Sequence, residues 1–115
     1  MSIHNFNGLR SVPIIVTGSG DTYNVKKNAT VVVNSADMET AAGILEKPVA
    51  KNNTYNIDGT VIGTQVGIYS QGKGAEINIG ADGQVIGAYG VAVTGAHSTI
   101  NNKGTIVASQ ANAIY

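Results

Sequence analysis

The chain has 115 residues, the size of one domain, and its 7 Lys and Arg residues balance its 7 Asp and Glu residues. Because the formal net charge is zero and no basic stripe is present, the sequence argues against nucleic-acid binding. The absence of cysteine excludes disulfides and thiolate metal sites, and the apolar run at 13–16 is far too short to span a membrane.

The surface of this chain must be built mainly from uncharged polar residues, because only 12% of the residues are charged. A surface of Asn, Thr, Ser, Gln and Gly is unusual for a cytosolic enzyme and common in extracellular β-repeat proteins. The first ten residues lack the basic and apolar regions of a signal peptide. We therefore expect an extracellular or cell-surface protein that uses another export signal or is part of a longer chain; a chain that stays inside the cell is the alternative.

The N-terminal part is expected to be a lead-in or cap over residues 1–22, irregular through residue 11. Residues 12–17 predict a strand at a sheet edge, because Pro13 cannot donate a hydrogen bond to a neighbouring strand. Repeats then fill residues 23–115, with an inserted loop at about 34–42. All of these parts belong to one predicted β-solenoid domain, 1–115.

The repeat is a block that returns four times. Aligned on Ala29, Gly59, Gly83 and Gly104, its copies are 30, 24 and 21 residues apart. Periods of this size are typical of stacked units that are each too small to bury their own apolar face. The sequence thus predicts about four rungs of 21–30 residues.

Each rung is predicted to hold three short β-strands, and no helical pattern competes with them. The predicted strands are 30–33, 60–62, 84–86 and 105–107 in the first set, 43–45, 67–69, 90–93 and 112–115 in the second, and 23–25, 54–57, 76–79 and 99–100 in the third. This pattern predicts an all-β fold, a single-stranded parallel β-helix.

Stacked rungs place equivalent apolar residues in columns about 4.8 Å apart. The predicted columns are Val31, Val61, Val85 and Ile106; Ile44, Ile68, Val91 and Ala113; and Val25, Tyr55, Ile79 and Ile100.

Residues 56–63 with 67–69, and 100–108 with 113–115, carry a motif of the form I-x-N-x-G-x-I-x-G followed by G-I. This motif resembles the repeats of bacterial autotransporter and haemagglutinin-type passenger domains, over about residues 52–115. The resemblance implies a right-handed parallel β-helix. It does not specify an activity, since such passengers include adhesins, toxins and scaffolds. These 115 residues depart from that family's pattern in including no signal peptide and no translocator barrel, both of which truncation of a longer chain could explain.

Asp58 and Asp82 are the candidate reactive pair, because both precede equivalent glycines and their carboxylates would lie about 5 Å apart in stacked rungs. That separation suits a retaining glycosidase or a calcium site. Asp-Gly is also favoured turn chemistry, and Lys103 follows in the same column, so we interpret both as turn residues.

Other candidates have structural interpretations as well. Residues 67–74 nearly spell a phosphate loop, but Gly74 replaces the hydroxyl residue and a strand follows instead of a helix. His4 and His97 are expected in exposed turns without catalytic partners. The tyrosines could stack on sugars, but packing inside or along the coil is the favoured interpretation. The prediction is therefore no catalytic, cofactor-binding or metal-binding residue, and no cofactor.

The predicted function is that of a non-enzymatic structural or adhesive β-solenoid. Residues 111–115 stop inside an incomplete rung, so we expect self-association through the open end. The expected partners are other copies of the chain, further rungs of a longer parent chain, or surface glycans. A filament-forming β-helix, inside or outside the cell, and a carbohydrate-active β-helix enzyme are the alternatives.

Overall fold

The computed structural model describes residues 2–34, 41–109 and 114, and every regular element in them is a β-strand. The strands are β1 (Ile3–Phe6), β2 (Leu9–Arg10), β3 (Ile14–Val16), β4 (Thr22–Val25), β5 (Thr30–Val33), β6 (Ala42–Glu46), β7 (Thr54–Ile57), β8 (Thr60–Gly63), β9 (Val66–Ser70), β10 (Glu76–Ile79), β11 (Gln84–Gly87), β12 (Tyr89–Val93), β13 (Thr99–Asn102) and β14 (Thr105–Ala108). The described residues thus contain no helix that could cross a membrane.

The strands form three parallel sheets. Sheet 1 has the order β1-β4-β7-β10-β13, sheet 2 the order β2-β5-β8-β11-β14, and sheet 3 the order β3-β6-β9-β12. Each turn of the chain gives one strand to each sheet, so turn 1 is β1 to β3 and turn 2 is β4 to β6. The fold is a β-solenoid of about four turns, which confirms the fold class predicted from the repeats.

The core lies inside the coil because residues alternate inward and outward along the strands of sheets 1 and 2. Val31, Val61 and Val85 are paired across neighbouring strands and have no exposed surface. Ile106 pairs with Val85 and is partly buried, since it lies in the last described turn. The register predicted for this column is confirmed.

The predicted third column is wrong by two residues. Tyr55 pairs with Tyr23 and Ile77, whereas Val25 pairs with Ile57, which in turn pairs with Ile79. Both sets point inward. A shift of two residues keeps every side chain on its own face of the strand, so the alternation of apolar residues could not reveal the error.

The predicted second column is confirmed for Ile44, Ile68 and Val91. Ala113 lies outside the described residues, and Ile114 forms the bridge to Val91 instead. The predicted register at this end is therefore wrong by one residue. The predicted strand at 112–115 also lies outside the described residues, apart from Ile114.

Residues 2–11 are not irregular as expected. β1 pairs with β4 and β2 pairs with β5, so they form part of a full turn. The sequence conceals this turn because His4 and Arg10 occupy inward positions that are apolar in later turns. β3 does lie at the edge of its sheet, as Pro13 indicated. Most of the predicted inserted loop at 34–42 lies outside the described residues.

One corner of the coil requires a left-handed backbone in four successive turns. Gly20, Asn52, Gly74 and His97 have φ values of 71°, 56°, 71° and 60°. Backbone bonds from Gly20 to Lys51 and from Asn52 to Lys73 hold this corner in register. Gly tolerates that conformation freely and Asn better than most residues. His97 thus has the exposed turn position that was predicted for it.

Candidate functional site

The most regular polar feature of the molecule is a row of asparagines on the outer face of sheet 1. Its members are Asn5, Asn24, Asn56, Asn78 and Asn101, one from each strand of the sheet. Each amide donates to the carbonyl oxygen of the asparagine before it, over donor–acceptor distances of 2.9, 2.9, 3.0 and 2.8 Å. We call this row the asparagine ladder.

The ladder leaves part of each amide unused. An asparagine amide has two N–H donors and a carbonyl oxygen with two lone pairs. The ladder takes at most one donor and one lone pair from each residue. The second N–H of Asn78 donates to Glu76 Oε2 at 2.8 Å. All amides point the same way, so Asn5 ends the row as a donor and Asn101 ends it as an acceptor.

A groove of about 630 Å³ runs along the ladder. Its floor is formed by Asn24, Asn56, Asn78 and Asn101, and its side by Asp58, Lys103 and the backbone near Gly80. Asp58 Oδ1 lies over Gly80, where a Cβ atom would force the Asp58 carboxylate to move. The groove therefore combines amides with one acidic and one basic side chain.

The proposed carboxylate pair is divided between two environments. Asp58 lines the groove with Lys103. The predicted column of Asp58, Asp82 and Lys103 is wrong, because the backbone bonds from Gly80 N–H to Ile57 and from Lys103 N–H to Ile79 place Gly80, and not Asp82, between Asp58 and Lys103. Asp82 lies in the longer corner at 80–83, and its Oδ2 is 3.8 Å from Lys27 Nζ on the surface. Within the described residues, no group of three or more His, Asp or Glu side chains could hold a metal ion.

His4 is exposed as expected, but it is not in a turn. It lies on β1, and its ring stacks on Tyr23 with centroids 4.5 Å apart. Tyr23 stacks in turn on Tyr55 at 5.5 Å, so the three rings form a column that leads from the exposed His4 to the buried Tyr23 and Tyr55. His4 Nε2 is also 4.0 Å from Asp21 Oδ2. Packing inside the coil, which was predicted for the tyrosines, is confirmed for Tyr23 and Tyr55.

The aromatic column leads to a buried carboxylate that the sequence analysis missed. Glu46 has no exposed surface. Its Oε2 accepts from the Tyr55 hydroxyl at 2.5 Å and from Asn53 Nδ2 at 3.4 Å. Its Oε1 accepts from the Ser70 hydroxyl at 2.6 Å and from the Gly72 N–H at 2.9 Å. We call these residues the Glu46 cluster.

Asn53 ties this cluster to the corner of turn 1. Its amide also donates to the Gly18 carbonyl and accepts from the Asp21 N–H, both at 2.8 Å. These backbone bonds fix which side of the amide faces Glu46. One sequence signal was available, because Glu46 follows the inward residue Ile44 by two positions and so had to point into the coil.

The cluster changes the acidity of the neighbouring tyrosines. Burial and the hydrogen bond to Glu46 raise the pKa of Tyr55 well above its usual value of 10.0. Burial and, to a lesser extent, the Asp21 and Glu46 charges raise the pKa of Tyr23. Tyr55 therefore remains a hydrogen-bond donor to Glu46 across the physiological pH range.

Comparison with known protein families, curated proteins and solved structures finds no match to this chain. The two polar arrays, one outside and one inside the coil, are therefore the basis for assigning a function. The Glu46 cluster is closed to solvent, whereas the asparagine ladder is open along its groove and reaches both edges of sheet 1.

Proposed function

We propose that this protein is a non-enzymatic structural and adhesive β-solenoid that joins other copies of itself end to end. The observation that carries the proposal is the polarity of the asparagine ladder. Asn5 ends one edge of sheet 1 with a donor, and Asn101 ends the other edge with an acceptor. A second copy placed above the first would continue the ladder with a bond from Asn5 to Asn101.

The backbone supports the same contact. Among the described strands, β1 and β13 lie at opposite edges of sheet 1, and β2 and β14 lie at opposite edges of sheet 2. Edge strands carry unpaired N–H and C=O groups that pair readily with another strand. All strands are parallel, so stacked copies keep the register of the coil. A contact of this head-to-tail kind does not close, and its repetition would build a filament.

The interior of turn 1 limits the strength of this contact. Arg10 lies over the ring of Phe6 at 5.5 Å and donates to the carbonyls of Val12 and Pro13. Stacking would set Arg10 against the partly buried Ile106 of the other copy, and His4 against its Ile100, since each pair ends the same column. The edge strands and the ladder must therefore supply the affinity, and association is expected to depend on concentration.

An extracellular location fits the same proposal. Asn and Thr provide most of the outward residues of sheet 1, in a chain with few charges. The likeness of residues 52–115 to bacterial autotransporter and haemagglutinin-type passenger repeats supports a role at a bacterial surface. In such a setting, further turns of a longer chain would occupy the same edges as a second copy.

Light scattering over a wide range of protein concentration tests this proposal. Asn5→Asp keeps the acceptor for Asn24 but replaces the terminal donor with a carboxylate, which would face the Asn101 oxygen of the next copy. Asn28→Asp makes the same chemical change in an exposed corner and is the matched control. We expect the average mass to rise with concentration for the native chain and for Asn28→Asp, and to rise much less for Asn5→Asp. A native chain that remains monomeric, or equal behaviour of the two variants, would refute the proposal.

A further inference from the structure

We propose that the groove along the asparagine ladder binds an extended, uncharged oligosaccharide of about three sugar residues. This inference rests on the adhesive part of the proposed function and gives it a site and a ligand class. The floor of the groove is formed by Asn24, Asn56, Asn78 and Asn101, and its side carries Asp58 and Lys103.

The spacing of the floor favours a sugar chain over a peptide. Neighbouring ladder amides repeat at the interstrand distance of about 4.8 Å. In an extended peptide, groups on the same side recur every second residue, at about 6.6–6.8 Å. An extended pyranose chain advances by one sugar residue over nearly the same distance as one step of the ladder. Each sugar residue can therefore meet an equivalent amide.

The hydrogen-bonding capacity of the groove matches hydroxyl groups. The ladder leaves one N–H each on Asn24, Asn56 and Asn101, and a carbonyl lone pair on the floor amides. Asp58 adds an acceptor and Lys103 adds a donor at the side. A hydroxyl both donates and accepts, so a row of sugar hydroxyls can satisfy this mixture of groups.

The charges near the groove favour an uncharged ligand. Among the described lining residues, Lys103 is the basic side chain and Asp58 is the acidic one. Glu76 lies beside the floor, where it accepts from Asn78. A polyanion would meet two carboxylates and a single ammonium group. The ligand is therefore identified as neutral.

The length of the groove sets the length of the ligand. From Asn24 to Asn101 the floor spans three steps of the ladder, about 14 Å at the interstrand spacing. We expect affinity to rise with chain length up to about three sugar residues, because about 14 Å of floor accommodates an extended chain of that length. Beyond that length the added residues extend past the floor and contribute little.

The test is a titration followed by amide NMR. Cello- and chito-oligosaccharides of one to six residues are the probes, and the readout is the side-chain NH₂ signals of the asparagines. We expect the signals of the four floor asparagines to shift and saturate, while the signal of the buried Asn53 stays in place. The affinity should level off at about three residues.

Paired variants separate the site from the fold. Asn56→Ala removes a floor amide and should weaken binding about ten-fold, the effect of losing about one hydrogen bond. Asn28→Ala makes the same change in an exposed corner and should bind as the native chain does. Unshifted ladder signals with every probe, equal affinity of the two variants, or shifts caused by a Gly-Ser peptide and not by the sugars would each overturn the inference.

Light scattering on the same samples keeps the two proposals distinct. If no sugar shifts the NH₂ signals of the groove asparagines, while the average mass still rises with protein concentration, the saccharide site is refuted and end-to-end association stands. Saturable shifts in a chain that stays monomeric would refute association and leave the site intact.

Discussion

The asparagine ladder and the Glu46 cluster are both networks of polar side chains, but they differ in how often they repeat and in their exposure to solvent. The ladder repeats one residue type in every turn and lies open to a groove. The cluster occurs once, has no exposed carboxylate surface, and joins Glu46 to Tyr55, Ser70 and the Gly72 N–H of the next turn. One network is periodic and the other is unique.

This difference determines what each network can specify. If one turn slipped against the next by a whole repeat, asparagine would still meet asparagine, so the ladder stabilises stacking without fixing which turns are neighbours. Glu46 would lose its donors in such a slip, and an unpartnered buried carboxylate is costly. The Glu46 cluster therefore fixes which turns are neighbours, whereas the asparagine ladder is compatible with more than one register.

The largest expected effect comes from a buried carboxylate without donors. Val61→Asp places one in the interior column, where Val61 has no exposed surface. We expect the free energy of unfolding to fall by about 4 kcal/mol or more, because nothing there can take the place of water. Chemical denaturation measures this, and Val61→Ala separates the cavity from the charge. If Val61→Asp lost no more free energy of unfolding than Val61→Ala, a buried carboxylate would not need the donors that Glu46 has, and the contrast between the two sites would be wrong.

Removing the natural buried carboxylate should cost nearly as much. Glu46→Ala leaves the Tyr55 and Ser70 hydroxyls and the Gly72 N–H without their acceptor. We expect a loss of about 3–5 kcal/mol. Glu46→Gln keeps an acceptor for Gly72 and should cost about 1–2 kcal/mol. If thermal or chemical unfolding showed equal stability for Glu46→Ala and the native chain, the Glu46 cluster would not fix the register of the turns.

A smaller effect should appear at alkaline pH. The pKa of Tyr55 is raised in the folded chain, so unfolded Tyr55 loses its proton above about pH 10 while folded Tyr55 keeps it. Stability is thus complete below pH 10 and falls above it, by up to about 1.4 kcal/mol per pH unit for this residue. Tyr55→Phe should be less stable at pH 7, since Glu46 loses a donor, but should show a shallower decline. Denaturation curves between pH 8 and 11 measure the stability of the native chain and of Tyr55→Phe. If the two stabilities fell in parallel above pH 10, the decline would not come from Tyr55.

The smallest effect belongs to the ladder. Asn24→Ala removes the bonds to Asn5 and from Asn56, which are at most half-buried and can be replaced by water. We expect a loss of about 1 kcal/mol or less. Asn28→Ala, in an exposed corner, gives the baseline for the same substitution. A loss for Asn24→Ala as large as that for Glu46→Ala would remove the distinction between the two networks.

The sequence determined most of the periodic structure. Recurring β-branched segments bounded by glycine identified the solenoid and nearly all strands from β4 to β14. They also identified the column of Val31, Val61 and Val85. The structure places Asn101 in the ladder on β13, whereas Asn102 Oδ1 accepts from the Gly104 N–H. These features follow from local patterns that repeat from turn to turn.

Only the tertiary structure decided the features that do not repeat. The two-residue register within sheet 1, the turn formed by β1 to β3, the donors of Glu46 and the groove beside Asp58 all depend on contacts between different turns. Corner lengths differ among the turns, as the corners at 58–59 and 80–83 show. Such differences set which residues meet without altering the apolar alternation along any strand. The alternation specifies the face on which a side chain lies, whereas its neighbour across the turn is fixed only when the whole coil closes its hydrogen bonds.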